Sequence, residues 1–437
     1  MVIASIDIQG GKVVQLKQGS QLVLQRDDAE VLAEEFDRYG EVAVIDLDAA
    51  MGKGSNLEMI KPLLRRAQCR VGGGLRTPEA AKELVSLGAE KLIVGSRAFR
   101  DPQHSEGGFA LNREFLAALE KSIGRERIII AVDAKKITPK TGGGGTYEIV
   151  VDGWKTPTGL PLVETAAEAA SYASELLFTC VDREGTMTGI DLEPVRGLKE
   201  ALGGGCRITA AGGVSSLAEV ENLGALDCDV QLGMALYTGA IDLAAAFICS
   251  LNWKKLEGGL IPVIAQSVDG QVLMTGYADH QALAESFARG NLCFYSRTRQ
   301  RLWMKGEHSG NVLKIRRLRA DCDRDAVLAV VEPAGPVCHT GAWSCFSLNR
   351  RYTWEYLQGI IAERFREPRP GSYTATLDDE LVREKIMEEA EELCTAKTRQ
   401  ELIWEAADLL YFTTALMTRK AVTVEEVFAE LDRRHKK

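Results

Sequence analysis

From Val2 to about residue 250, short apolar runs alternate with longer stretches of helical period. Ile3–Ile8, Val42–Leu47, Arg70–Val71, Lys91–Val94, Ile128–Val132, Leu176–Thr179, Arg207–Ala210 and Val230–Leu232 are the strand candidates. Ala29–Tyr39, Pro78–Leu87, Thr165–Ser174 and Leu217–Leu223 place apolar residues three and four apart, the spacing of one helical face. Strands separated by helices pair in parallel, because a parallel neighbour needs a long crossover. Eight such units in about 250 residues predict an α/β fold, a (βα)8 TIM barrel over residues 1–250, with an open doubly wound sheet as the alternative.

The two halves of this region echo each other. Asp7 and Asp133 end the first and fifth strands. Gly72-Gly73-Gly74 after the third returns as Ala211-Gly212-Gly213 after the seventh, and Val94-Gly95-Ser96 after the fourth returns as Leu232-Gly233-Met234 after the eighth. Gly142–Gly145 reads as a mobile loop within the barrel. Leu251–Gly258 reads as a linker. Beyond it the period shortens to that of hairpins, with Asp269-Gly270 as the turn between Ile261–Ser267 and Val272–Tyr277. From Tyr352 the pattern is helical, broken at Pro368–Ser372. The expected order is a barrel (1–250), a small α+β domain (258–347) and an all-α domain (352–437).

Composition adds exclusions. A net charge of −9 argues against a chain built to coat nucleic acid, and no apolar run is long enough for a membrane span. The N-terminus lacks a basic region before its apolar run, which argues against a secretory signal. Ten scattered cysteines fit a reducing cytoplasm.

Catalytic groups of such barrels stand at the C-terminal strand ends. Asp7 and Asp133 there suit a general acid and a general base. The paired glycine loops (Gly73, Gly74, Gly95, Ser96, Gly212, Gly213 and Gly233) let backbone N–H groups approach two phosphates. Taken singly, each glycine is explained by a turn and each aspartate by a helix cap. Ser5-Ile6-Asp7-Ile8, Ile45-Asp46-Leu47-Asp48-Ala49-Ala50, Val71-Gly72-Gly73-Gly74-Leu75-Arg76, Asp152-Gly153-Trp154 and Ala211-Gly212-Gly213-Val214-Ser215-Ser216 resemble the phosphoribosyl isomerase of histidine biosynthesis (ProFAR isomerase). The resemblance implies an aldose–ketose rearrangement of a doubly phosphorylated substrate. Asp7 would be the base and Asp133 the acid. Arg76 would contact substrate, as would Trp154 on a mobile loop. Two positions depart from that family: Cys180 stands where an acid is usual, and Met234 where a basic residue is usual. Thr179–Thr186 instead resembles the sister imidazole-glycerol-phosphate cyclase, so a barrel kept only as scaffold is a rival reading.

Cys322, Cys338 and Cys345 offer three thiolates, which leave the fourth position of a tetrahedral Zn²⁺ open. Asp321, Asp323 and Asp325 alternate, so on a strand they would share one face and suit Mg²⁺. Buried thiols without metal are the plainer alternative. Trp303–Asn311, Asp321–Asp325 and Cys338-His339-Thr340-Gly341 resemble phosphoribosyl-AMP cyclohydrolase. That family implies zinc-dependent opening of the adenine ring, with His339 a candidate proton shuttle and a metal site shared across a homodimer. Eight basic side chains between Arg297 and Arg319, against the single acid Glu307, are expected to meet substrate phosphates or solvent rather than RNA.

In the last domain, Glu388, Glu389 and Glu392, with Glu405 and Asp408, gather carboxylates on helical faces. Like charges so placed repel unless cations bind. A solvated helix face is the plainer alternative. Ala390, Ala406 and Ala407 leave room for facing helices, and Leu393, Leu402, Leu409 and Leu410 are expected to supply packing. Gly371–Thr374, Lys385, Glu388–Glu392 and Glu405–Tyr411 resemble phosphoribosyl-ATP pyrophosphohydrolase, of the MazG type. This implies Mg²⁺-assisted release of pyrophosphate, with Lys385 offsetting phosphate charge. Together these resemblances point to a cytoplasmic enzyme acting on small phosphorylated nucleotides. A housekeeping nucleotide pyrophosphatase and a zinc-stabilised RNA-binding protein are the rivals.

Overall fold

The computed structural model describes residues 1–99, 108–137 and 146–435, so the loop Gly142–Gly145 lies outside the described residues. The chain divides into two compact units, Met1–Ser267 with Val272–Gly341, and Val268–Gln271 with Ala342–Lys437.

Eight parallel strands close into a barrel: β1 (Val2–Gln9), β2 (Val42–Asp46), β3 (Cys69–Gly72), β4 (Lys91–Val94), β5 (Ile128–Ile137), β6 (Glu175–Cys180), β7 (Arg207–Ala211) and β8 (Asp229–Leu232). Closure runs β1–β2 through β5–β6 to β8–β1. Alternation along each strand splits its residues between two cores. Ile130 and Val132 pack outward under the helices, whereas Ile129 and Ala131 join Ile93, Leu177 and Ala211 inside the barrel. The half-barrel echo extends to insertions that the hydrophobic pattern did not reveal. An antiparallel hairpin (Lys12–Lys17, Gln21–Arg26) follows β1, and another (Thr146–Val151, Thr156–Pro161) follows β5.

The N-terminal end of the barrel is plugged by charge. Arg70 is fully buried and ion-paired with Glu41 and Glu175, with Lys91 3.1 Å from Glu41 and 3.3 Å from Glu175. Thr209 donates to Glu175 as well.

The small sheet belongs to the same unit. Its strands are β9 (Ile261–Ser267), β10 (Val272–Ala278), β13 (Leu313–Ala320) and β14 (Val327–Pro333), in the order β10-β9-β14-β13. A ribbon of β11 (Cys293–Ser296) and β12 (Arg301–Met304) and the helix His280–Arg289 lie between β10 and β13 in sequence. This sheet docks on the barrel's N-terminal end, opposite the strand ends that carry Asp7 and Asp133. The Leu318 N–H donates to the Arg38 carbonyl at 2.8 Å. Arg319 grips Asp37 at 2.9 Å and Gln68 at 2.9 Å, and Arg317 pairs with Asp37 at 2.6 Å. Phe287 packs against Tyr39 and Phe247. Part of the basic stripe therefore serves neither phosphate nor solvent: it fastens sheet to barrel.

The second unit is helical: α1 (Trp354–Arg366), α2 (Asp379–Thr395), α3 (Arg399–Arg419) and α4 (Val424–His435). Thr353, Asp378 and Thr398 cap the first three, with Thr398 and Glu401 forming a reciprocal capping box. Leu357, Ile361, Val382, Phe412 and Ala415 form its core. Leu402, Trp404 and Leu410 do not join it: Leu402 and Leu410, expected as packing, are exposed, and Trp404 is 65% exposed. Among the described residues no helix is long and apolar enough to cross a membrane.

Candidate active sites

Strand parity decides what enters the barrel mouth. On β1, Ile6 and Ile8 join the outer core, so Ser5 and Asp7 face inward. On β5, Asp133 follows Ile129 and Ala131 on the inner face. Burial raises the Asp7 carboxyl to about 6, against a hydrogen bond from Ser5. Burial raises Asp133 too, and hydrogen bonds with Thr179 and Trp154 hold it back. A third acid, Glu184, joins them. It is pushed to about 7 by burial first and then by the charges of Asp7 and Asp133. Sequence reasoning missed Glu184. The available signal was its place in the loop after β6, where the Gln18 N–H donates to its carbonyl at 3.1 Å. Neighbouring carboxyls that are all raised, Asp7 to about 6 and Glu184 to about 7, can keep one proton while lacking another, as an acid and base pair requires.

The glycine loops have steric reasons. A Cβ at Gly73 would meet the Asp46 carbonyl at 2.1 Å, and one at Gly212 would meet the Cys180 carbonyl at 2.6 Å. Asp46 pairs with Ile8 as Cys180 pairs with Ala134, so the two contacts are equivalent in the two half-barrels. A thiol thus stands where the first half carries a carboxylate. Gly74 and Gly213 follow with positive φ. Gly95 and Gly233 lead into the short helices Ser96–Ala98 and Met234–Tyr237, whose first N–H groups line the same rim. Ser96 Oγ accepts from the Asp152 N–H at 2.9 Å. Arg76 donates to the Ala49 carbonyl at 3.1 Å and rests on the helix Leu47–Ala50. Trp154, held at φ 68°, lies against Gly19.

In the small sheet, Asp321, Asp323 and Asp325 come together with carboxylate oxygens within 4.8 Å of one another. They do so on a turn, not on a strand. β13 ends at Ala320, Arg324 takes φ 63°, and Asp321 Oδ1 accepts from the N–H groups of Asp325 at 3.0 Å and Ala326 at 3.1 Å. Lys255 Nζ lies 2.7 Å from Asp323 and 3.7 Å from Asp325. The Thr340 hydroxyl donates to Cys338 Sγ at 3.1 Å, and His339 Nδ1 lies 3.9 Å from the same sulfur. Cys322 and Cys338 belong to the first unit and Cys345 to the second.

In the helical unit, Glu389 and Glu392 of α2 and Glu405 of α3 meet within 4.8 Å. Desolvation raises Glu389, followed by repulsion from Asp408 and Glu392. Glu405 is raised by desolvation and by Glu392. Asp408 is thus in electrostatic reach of both. Glu388 pairs with Lys385 at 2.7 Å, and both charges reach Glu389.

Facing carboxyls above a closed barrel, between glycine loops on two sides of its rim, are the layout of a sugar-phosphate isomerase barrel, here extended by two further modules. Residues 1–242 match the model of the histidine biosynthesis protein family, residues 274–347 that of phosphoribosyl-AMP cyclohydrolase, and residues 355–435 that of phosphoribosyl-ATP pyrophosphohydrolase. The first match spans more than half of the 437 residues, and the chain belongs to the histidine biosynthesis protein family. It is a fused multidomain enzyme with an isomerase-type barrel and two hydrolase domains. Among similar proteins is the histidine biosynthesis bifunctional protein HisIE of Xanthomonas campestris, 42% identical over 194 residues, which are 43% of this chain and 94% of that protein. HisIE of Pyrococcus furiosus is 39% identical over 201 residues (43% of this chain, 96% of that protein), and HisIE of Photobacterium profundum is 35% identical over 206 residues (44% and 100%).

Proposed function

We propose that the chain performs three successive reactions: release of pyrophosphate from phosphoribosyl-ATP, opening of the adenine ring of phosphoribosyl-AMP to ProFAR, and isomerisation of ProFAR to PRFAR. The observation that supports the third reaction over a scaffold-only barrel is the gathering of the carboxyls Asp7, Asp133 and Glu184, all with raised protonation ranges. Asp7 takes the proton from the sugar carbon next to the reacting one, and Asp133 delivers a proton to the ring oxygen as the ring opens. The Trp154 hydrogen bond orients Asp133. The loops at Gly73, Gly74, Gly95, Ser96, Gly212, Gly213 and Gly233 receive the two phosphates, and Arg76 flanks one of them.

The donor sets suit the ions that the two hydrolase families imply. Soft thiols at Cys322, Cys338 and Cys345 would hold Zn²⁺. Converging carboxylates at Asp321, Asp323 and Asp325, and at Glu389, Glu392, Glu405 and Asp408, would hold Mg²⁺. When bound, such ions supply Lewis acidity that makes water acidic near neutral pH and offset phosphate charge. His339, beside Cys338, carries a proton to or from the ring nitrogen. Lys385 and Glu388 border the helical site.

The cyclohydrolase resemblance implies a homodimer that completes the metal site, and the exposed Trp404 and Met387 offer such an assembly apolar surface. Ten cysteines scattered along the chain favour the cytoplasm. The test is incubation with phosphoribosyl-ATP, Mg²⁺ and Zn²⁺, with chromatography of the intermediates. PRFAR should accumulate with the native chain, ProFAR with Asp7→Asn and phosphoribosyl-AMP with Cys338→Ser. Accumulation of ProFAR by the native chain would establish the bifunctional reading instead. Sedimentation reads the dimer.

A further inference from the structure

The acidic turn of the small sheet is built onto the barrel. Arg324 sits between Asp323 and Asp325 in the left-handed region, at φ 63°. That conformation costs a non-glycine residue on the order of 1 kcal/mol, so something must hold it. The side chain runs away from the three aspartates into the barrel, where the residue is 4% exposed. Its guanidinium donates to the carbonyls of Gly224 at 2.8 Å and Cys228 at 3.2 Å, and pairs with Asp227 at 2.9 Å. Gly224 belongs to the last turn of the helix Leu217–Ala225, whose final carbonyls need donors and favour a cation. The turn is held from its other side too. The Asn252 N–H donates to the Arg324 carbonyl at 2.8 Å, and Lys255, from the linker, reaches Asp323.

We infer that Arg324 is a positioning residue through which the barrel holds Asp321, Asp323 and Asp325 in a cation-binding arrangement. The cation affinity of the cyclohydrolase module then depends on its docking to the barrel. This rests on the reading of those aspartates as an Mg²⁺ site. The sign of the effect sets it apart from simple electrostatics. A guanidinium beside three carboxylates repels a divalent cation, so loss of its charge alone would tighten binding. Loss of the anchor would loosen it.

The probe is Mn²⁺ titration of the full chain by electron paramagnetic resonance, with zinc present and the helical site silenced by Glu389→Gln, Glu392→Gln and Glu405→Gln. This parent should bind one Mn²⁺ that Asp323→Asn abolishes. If it binds none, both the metal reading and the inference fall. If it does bind, Arg324→Ala should weaken Mn²⁺ about tenfold, equivalent to about 1.4 kcal/mol. Arg324→Lys should recover part of that loss. Asp227→Ala, which leaves the turn's own sequence intact, should weaken Mn²⁺ about threefold, and it decides alone if Arg324→Ala does not fold. Affinity equal to or tighter than the parent's in the folded variants overturns the inference while the metal site stands.

Discussion

Ser5 and Asp7 stand two residues apart on β1, and strand alternation turns both into the barrel. The Ser5 hydroxyl donates to Asp7 Oδ1 at 2.7 Å. Burial lifts the carboxyl from 3.8 to about 6, and this bond opposes the rise because it stabilises the ionised form. A hydrogen bond to a charged group contributes about 1.5–3 kcal/mol, and one pKa unit corresponds to about 1.4 kcal/mol. Removing the hydroxyl should therefore raise Asp7 by about one unit, allowing for partial replacement by water. In the proposed role of base Asp7 must be ionised, so a higher pKa would remove activity on the acid side and spare it on the alkaline side. In Ser5→Ala the acid limb of kcat/KM for ProFAR isomerisation should move up from about 6 by about one unit, costing roughly tenfold below the limb and little well above it. Glu184, which titrates at about 7, is separated by repeating the profile in Glu184→Gln. A limb that stays in place, or a loss uniform across pH, would refute the argument and leave Ser5 with a packing role.

Three further outcomes follow. Arg70→Met leaves Glu41 and Glu175 with Lys91 as their one remaining ion-pair partner among the described residues, and should cost about 3–5 kcal/mol at neutral pH by thermal unfolding. Although burial opposes it, Arg70 and Lys91 lower Glu41 from 4.5 to about 2, so this contribution is full above about 4.5 and lost as pH falls toward about 2. The mutational loss should shrink in acid, and an equal loss at both ends of that window counts against the pairing. Glu392→Gln with Glu405→Gln should slow pyrophosphate release roughly 100-fold, about 3 kcal/mol of ion-assisted stabilisation, while phosphoribosyl-AMP opening proceeds unchanged. Parallel loss of both activities would mean that the helical unit had unfolded. Because the acidic turn docks at the N-terminal end of the barrel and Asp7 and Asp133 stand at the other, ring-opened product should mix with solvent. Labelled ProFAR formed from phosphoribosyl-AMP should be diluted fully by an unlabelled pool, and retained label would refute free diffusion.

The barrel strands were readable because strands buried on both faces must be apolar throughout, and the echoed acids and glycines fell at their ends. The hairpin Lys12–Arg26 was not, because its outer strand Gln21–Arg26 is largely exposed and carries no one-sided pattern. Asp321, Asp323 and Asp325 come together, but not through the alternation of a strand: a left-handed Arg324 makes a turn. Glu184 escaped notice because a loop carboxylate acquires meaning only when a neighbouring loop folds it over Asp7 and Asp133. Residue type and local spacing, then, determined which groups bring acids, thiols and glycines, since those depend on period and chemistry along the chain. Which of the arginines between Arg297 and Arg324 meet barrel and which meet water was decided by tertiary structure alone. A guanidinium's partner is whatever distant carbonyl or carboxylate the docked surfaces present, and Asp37, Gln68 and Gly224 are near Arg319 and Arg324 only in space.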